Sequence, residues 1–465
     1  LASPSTLAPP VDPPRTARGV AVSVCAAPLI TMVAYTAPMV TIPESGADLA
    51  ATGSGPAWML NAISLGLAAT FLVVGVLADD YGRRRVYLAG TWVLALSALV
   101  SALAVNAPMF VAARLAAGAA SAAMLAAGLG ILGRAYPAGP RRAAMTGRYG
   151  AMLGLGIATG PLLSGGLTAL WNWRGVHFTI AAASVVLAVM AARLLPAADE
   201  GGTARRSAPD VPGALTLALG ATALLIAITE GRSGWVRPVV IASLVVAVAL
   251  LTAFVLIERR RRAPLLDPAL WRRPLFLVST GGTLVIGVAV IGFMSYLPTA
   301  LQLAHGISAP TTALLLSMWS GMSFLTALQS RRLRVRPAVL LAIGLLIAAA
   351  GALPLLGAAG PAPSWPRIAL ALAVSGAGSG LINAAVTHLA IESVPAARAS
   401  MGAGANNTAR YVGAAIGVAA MNALTGTLGL ATAMNTGVIA TAAIAALAAP
   451  AALALSRAAS SAQAS

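Results

Sequence analysis

Along its length the chain is a succession of apolar runs of about 20 residues, broken by short joints rich in Arg, Gly and Pro. The runs are continuous and do not alternate in polarity, which excludes a β-barrel and predicts helices that cross a membrane. Fourteen are predicted, at approximately 19–42, 57–78, 86–105, 108–132, 146–168, 176–195, 211–229, 238–257, 275–299, 309–328, 338–358, 367–390, 405–426 and 433–455. The first run follows Arg15 and Arg18 as a signal peptide would, but it is longer than an h-region of about 7–15 residues and reads as an uncleaved helix. The small, Pro-rich stretch before it, 1–14, reads as a disordered cytoplasmic tail.

Composition agrees with this reading. Hydrophobic residues make up 59% of the 465, charged residues 9%, and the mean hydropathy of +0.87 exceeds what a soluble domain carries. A formal charge of +18 would suggest nucleic acid in a soluble protein, but here the charge follows topology, and no nucleic-acid partner is expected. All 30 basic residues are Arg. With the N-terminus placed in the cytoplasm, 24 arginines fall in joints on that side and four on the other, at Arg174, Arg232, Arg237 and Arg367. Arg114 and Arg410 fall inside spans. The positive-inside rule then orients the chain in the cell membrane with both termini cytoplasmic.

Two long charged joints, 196–210 and 258–274, bracket a helix pair at 211–257. Setting that pair aside leaves six spans at 15–195, six at 275–456 and a short cytoplasmic tail at 457–465, the two-bundle plan of a repeat-built transporter. The joint after the second span, GVLADDYGRRR (Gly75–Arg85), packs two glycines, two aspartates and three arginines into a turn. Gly75 is expected to admit a neighbouring helix, and Gly82 to turn the chain. QSRRLRVRP (Gln329–Pro337) stands at the equivalent place in the second half as a degenerate echo, with arginines and no aspartate.

These residues resemble the major facilitator superfamily, and within it the 14-span drug:proton antiporter-2 branch. Gly75, Asp79, Gly82, Arg83 and Arg84 fit the loop signature between spans two and three, which the resemblance makes a conformational latch; Asp80 departs from the usual basic residue. RLAAG, with Arg114 and Gly118, is similar to the fourth-span signature. A buried arginine is costly unless paired or hydrated, which marks Arg114 for function, although snorkelling to the interface is the bland alternative. GLGIATGPLLSGG (Gly154–Gly166) is similar to the exporter signature of span five. There Gly156, Gly160 and Gly165 allow close approach and Pro161 bends the helix, though ordinary small-residue packing reads the same. TEGRSGWVRP, ERRRRAPLLDPALWRR and GANNTARYVGAAIGVA resemble joints and the thirteenth span of the 14-span branch. The resemblance implies an all-α membrane fold and a cavity lined by spans one, four, nine and twelve, with two, five, ten and thirteen alongside. That nominates Tyr35, Thr36, Met39, Trp58, Asn61, Met124, Met294, Tyr296, Gln302 and Asn383, each of which plain helix packing would explain as well.

The implied function is secondary active export of multiple drugs or other hydrophobic small molecules by rocker-switch alternating access, with protons as the coupling ion and the chain working as a monomer in the bilayer. The residues themselves are nearly silent on coupling. Where the branch often carries an aspartate in span one, AYTAPMVTIP has alanine; the remaining acids and the three histidines, His177, His305 and His388, lie near span ends. The single Cys25 excludes a disulfide framework, and no metal or other cofactor is expected. With no lysine there is no ATP-binding loop of the GxxxxGKS type. Scattered His, Asp and Glu argue against a membrane-embedded enzyme. A lipid or lipid-precursor translocator remains the alternative. The cavity offers no counter-charge for a strongly cationic drug, so neutral or weakly charged amphipathic substrates are expected.

Overall fold

A computed structural model describes residues 15–136, 140–196, 210–231, 234–261, 270, 273–330, 333, 335–393 and 399–464. The side chains of Asp79, Asp80 and Glu392 lie outside the described residues, as do the 1–14 tail and most of the two charged joints. The chain runs through α1 (Arg15–Thr36), α2 (Ile42–Asp48), α3 (Gly55–Tyr81), α4 (Arg83–Ala102), α5 (Ala107–Ala135), α6 (Pro140–Leu170), α7 (Arg174–Leu194) and α8 (Val211–Gly231). It continues through α9 (Pro238–Arg260), α10 (Pro274–Val285), α11 (Phe293–His305), α12 (Ala309–Gln329), α13 (Pro337–Ala352), α14 (Trp365–Glu392), α15 (Ala399–Leu428) and α16 (Leu430–Ala464). Fourteen helical stretches are long and apolar enough to cross a membrane, from Gly19–Val40 to Leu430–Arg457, matching the predicted spans in number and order. The protein is a multi-pass, all-helical membrane protein.

Local chemistry fixes where the helices begin and end. Pro stands in the first turn of α3, α5, α9, α10, α12, α13 and α14, where its missing N–H costs nothing. The Asn106 side chain caps α5 by accepting from the Met109 N–H at 2.9 Å. Gly82, at φ +103°, is the whole joint between α3 and α4, as the sequence predicts; the joint between α15 and α16 is likewise one residue, Gly429 at φ +77°. α16 continues to Ala464, through most of the segment expected as a tail.

Two spans carry internal irregularities that hydropathy does not predict. α1 gives way to a 3-10 turn, Ala37–Val40, because Pro38 removes a donor and restricts the residue before it. The ninth span is α10 and α11 joined by seven residues of π-helix, Ile286–Gly292. Here Gly287 and Gly292 lie against the backbone of Gly413 and Gly417 on α15, so close that an added Cβ would collide.

The helices build two cores. One lies among α1, α3, α4, α5, α6 and α7, the other among α10–α16, with Met421 contributed by α15. The bundles meet along two seams, α3 against α15 and α6 against α12. The α8–α9 hairpin stands outside both and touches α3 and α15 through α8, while α9 exposes Ile241, Val245, Val248 and Leu256 to the surroundings. Only 17% of its most apolar window is buried, the signature of a helix solvated by lipid.

Candidate functional site

The site lies between the two seams. Tyr35, Thr36 and Met39 come from the first span, where α1 passes into its 3-10 turn, and Pro161 comes from α6. Met294 and Ser295 come from α11, Trp319 and Ser320 from α12, Asn383 from α14, and Arg410 and Tyr411 from α15. The space among them, counted with its mouth open to solvent, is about 610 Å³. Its walls are mostly thioether, aromatic and aliphatic, with a few hydroxyls, one amide and one guanidinium.

Several of the polar groups are held in place. Tyr35 Oη accepts from Ser64 Oγ at 3.1 Å, and its ring packs against Tyr411 at 5.8 Å between centroids. Thr36 Oγ1 donates to the Met32 carbonyl at 2.9 Å and faces the Gly156 carbonyl of α6. Arg410 Nη2 donates to Asn383 Oδ1, linking α15 to α14 across the cavity wall. Trp319 is 9% exposed, and its indole N–H has no acceptor among the described residues. Ser295 is buried beside the Tyr35 hydroxyl. No carboxylate among the described residues lines this space.

Of the ten residues nominated from the sequence, Tyr35, Thr36, Met39, Met294 and Asn383 stand on the cavity wall. The other five are engaged elsewhere. Trp58 Nε1 donates to Glu230 Oε1 of α8 at 2.9 Å, and Ser54 Oγ donates to the same oxygen at 2.8 Å. Asn61 Nδ2 donates to the Ala415 carbonyl across the α3–α15 seam at 3.2 Å. Met124 is fully buried against Gly90 inside the first bundle. Tyr296 Oη donates to Thr425 Oγ1 at 2.9 Å within the second bundle. Gln302 Nε2 donates to the Val40 carbonyl at 2.8 Å, tying the bundles together at the end away from the Gly75–Arg85 turn. The sequence reading passed over Trp319, Ser320 and Tyr411. Arg410 was visible as one of two arginines inside spans, a signal that marks function by default.

Arg114 is fully buried on α5 and does not snorkel: it is 2% exposed, and Nη1 donates to the Ala34 carbonyl directly behind Tyr35. Its Nε and Nη2 have no acceptor among the described residues. Gly118, one turn on, lies against the backbone of Ile63 and Gly66, so α3 and α5 touch with no side chain between them. Gly156 and Gly160 set α6 on α1, against Leu29, Met32 and Thr36, and Gly165 sets α6 against Pro310 and Ala313 of α12.

In the Gly75–Arg85 turn, Arg83 Nη1 donates to the Gly130 carbonyl at 2.8 Å, and Arg84 donates to the Ala192 and Leu195 carbonyls at 2.9 and 3.1 Å. Arg84 thereby satisfies the orphan carbonyls at the end of α7, where a cation also meets the negative end of the helix dipole. These partners all belong to the first bundle. Gly75, expected to admit a close helix, has no such neighbour among the described residues, none of which lies within 4 Å of where a Cβ would stand. At the opposite end, Arg174 pairs with Asp48 at 3.0 Å, and Trp173 Nε1 donates to the same carboxylate at 3.1 Å. The nearby Glu44 carboxyl is pushed above its ordinary range, chiefly by burial, against which the Trp173 backbone N–H works and to which the Asp48 charge adds. Among the described residues no cluster of His, Cys, Asp and Glu could hold a metal ion.

Comparison with known proteins agrees with this geometry. The family model of the Major Facilitator Superfamily matches residues 24–418. The puromycin resistance protein of Streptomyces alboniger is 31% identical over 86% of this chain and 80% of its own length. The multidrug resistance protein Stp of Mycobacterium tuberculosis is 28% identical over 83% and 71%, and the cephamycin export protein of Amycolatopsis lactamdurans 28% over 83% and 80%. With two six-span cores facing one cavity and a family match across most of its length, this chain belongs to the Major Facilitator Superfamily and is a membrane transporter, not an enzyme.

Proposed function

We propose that this transporter exports amphipathic organic molecules from the cell by alternating access, driven by the proton gradient. The observation that carries the reading is the cavity itself. It is predominantly apolar, built from both bundles, and bounded by two seams that would open and close around it. Relatives named for puromycin resistance, multidrug resistance and cephamycin export support the same direction of transport. The 24-to-4 division of arginines supports a cell-membrane orientation with both termini cytoplasmic. In this reading the Gly75–Arg85 turn is the latch of the cytoplasmic end, and the Gln302–Val40 bond belongs to the opposite gate.

Inside-out membrane vesicles test the proposal. With the lumen acidified, vesicles containing the protein are expected to accumulate members of a panel of neutral and charged fluorescent amphiphiles, and an uncoupler is expected to abolish the accumulation. Accumulation that survives the uncoupler would remove the proton as coupling ion; no accumulation of any compound would remove export.

A further inference from the structure

Among the described residues the cavity carries a cation and no anion. Arg410 lies within a candidate span, Gly404–Leu428, where an uncompensated charge is costly. Its guanidinium is hydrogen-bonded to a neutral amide, Asn383, and no carboxylate among the described residues pairs with it. One more donor faces the same space without an acceptor among the described residues, the Trp319 indole N–H. Nearby, Arg114 adds a second positive charge behind Tyr35. The protein thus supplies donors and positive potential in excess, and a ligand must supply acceptors and negative charge. Tyr35, Tyr411 and Trp319 supply aromatic faces for a planar ring.

We infer that the preferred cargo is a planar aromatic acid bound as its anion, its carboxylate or ionised enol oxygens taken by Arg410 and Trp319. This rests on the export reading and narrows its substrate class. A guanidinium presents paired N–H groups that match two oxygens of a carboxylate, which neither an ester nor an amine can reproduce. Asn383 holds the guanidinium from the side of α14, so the fork is oriented before the ligand arrives.

Binding is measured on the full chain in lipid nanodiscs at about pH 7.5, where a carboxyl group is ionised. The probes are naphthoate, its methyl ester and naphthylmethylamine, which share one ring system and differ in charge. Naphthoate is expected to bind at least about tenfold more tightly than the other two. Arg410→Gln is expected to bring the naphthoate-to-ester ratio to about one, and Arg410→Lys to restore part of it. Trp319→Phe, which keeps the ring and removes the N–H, is expected to weaken naphthoate binding about three- to tenfold, and it decides the matter if Arg410→Gln fails to fold. A wild-type ratio at or below one, or a ratio unchanged by both Arg410→Gln and Trp319→Phe, overturns the inference. Proteoliposomes separate it from the export reading. Carriage of the ester or the amine without naphthoate leaves export standing and removes the acid preference. The predicted binding ratio with none of the three carried supports the acid site and removes export.

Discussion

Trp58 shows how one side chain can be claimed by a neighbour the local sequence does not announce. Its place near the start of α3 suggests a cavity aromatic, yet its indole N–H and the Ser54 hydroxyl both go to Glu230 on α8, 172 and 176 residues away. Glu230 also meets Arg237 at 3.5 Å, so the carboxylate is partnered from three sides. A hydrogen bond to a charged acceptor is worth about 1.5–3 kcal/mol when partly shielded from water. Trp58→Phe is therefore expected to destabilise the folded protein by about that amount, read as a lower midpoint in thermal unfolding in detergent. An unchanged midpoint would show that Ser54 and Arg237 suffice. The cavity residues were legible to the same partial degree. Tyr35, Thr36, Met39, Met294 and Asn383 could be named from their spans and Arg410 stood out as a charge inside one, but Trp319 acquires meaning, and Arg410 its partner Asn383, only when α12, α14 and α15 stand side by side.

At the scale of elements, glycine decides which helices touch. An added Cβ at Gly66 or Gly118 would run into the backbone of the partner helix, which cannot yield as a side-chain tip can. Gly118→Leu is expected to separate α3 from α5 at a cost beyond the about 1–3 kcal/mol of ordinary overpacking, read as loss of monodisperse protein on size exclusion. Gly75→Leu, which meets open space, is expected to leave the elution profile unchanged. Gly118 was visible through its arginine-containing motif, whereas Gly66 was not, because small residues are common throughout this chain and only the packed pair identifies the contact. The fourteen spans were legible because length and apolarity alone make a crossing helix. The 3-10 turn and the π segment were not, since both are shifts in hydrogen-bond phase that leave hydropathy untouched.

At the scale of the whole molecule, the two bundles are joined by the α3–α15 and α6–α12 seams and by a few polar crossings, of which Gln302 to Val40 lies farthest from the arginine-rich end. The proposed alternating access requires that crossing to break. Cysteines introduced by Val40→Cys and Gln302→Cys, in a background with Cys25→Ala, are expected to cross-link on oxidation and stop transport, and reduction is expected to restore it. Full activity of the cross-linked protein would mean that this end does not open in the cycle. The hairpin of α8 and α9 is tied to the first bundle through Glu230 while also touching α15, so it spans one of the two seams.

The π segment at Ile286–Gly292 has a consequence for counting. Each of its residues advances the helix by a smaller angle than an α residue does, because the hydrogen bonds reach one residue further. Every position beyond it on α11 therefore lies behind the phase that an unbroken 3.6-residue repeat assigns. Met294 and Ser295 turn to the cavity, while Tyr296 turns into the second bundle and meets Thr425. Shortening this segment by one residue would not merely trim a loop; it would rotate the α11 half of the ninth span and present the transported molecule with a different set of side chains.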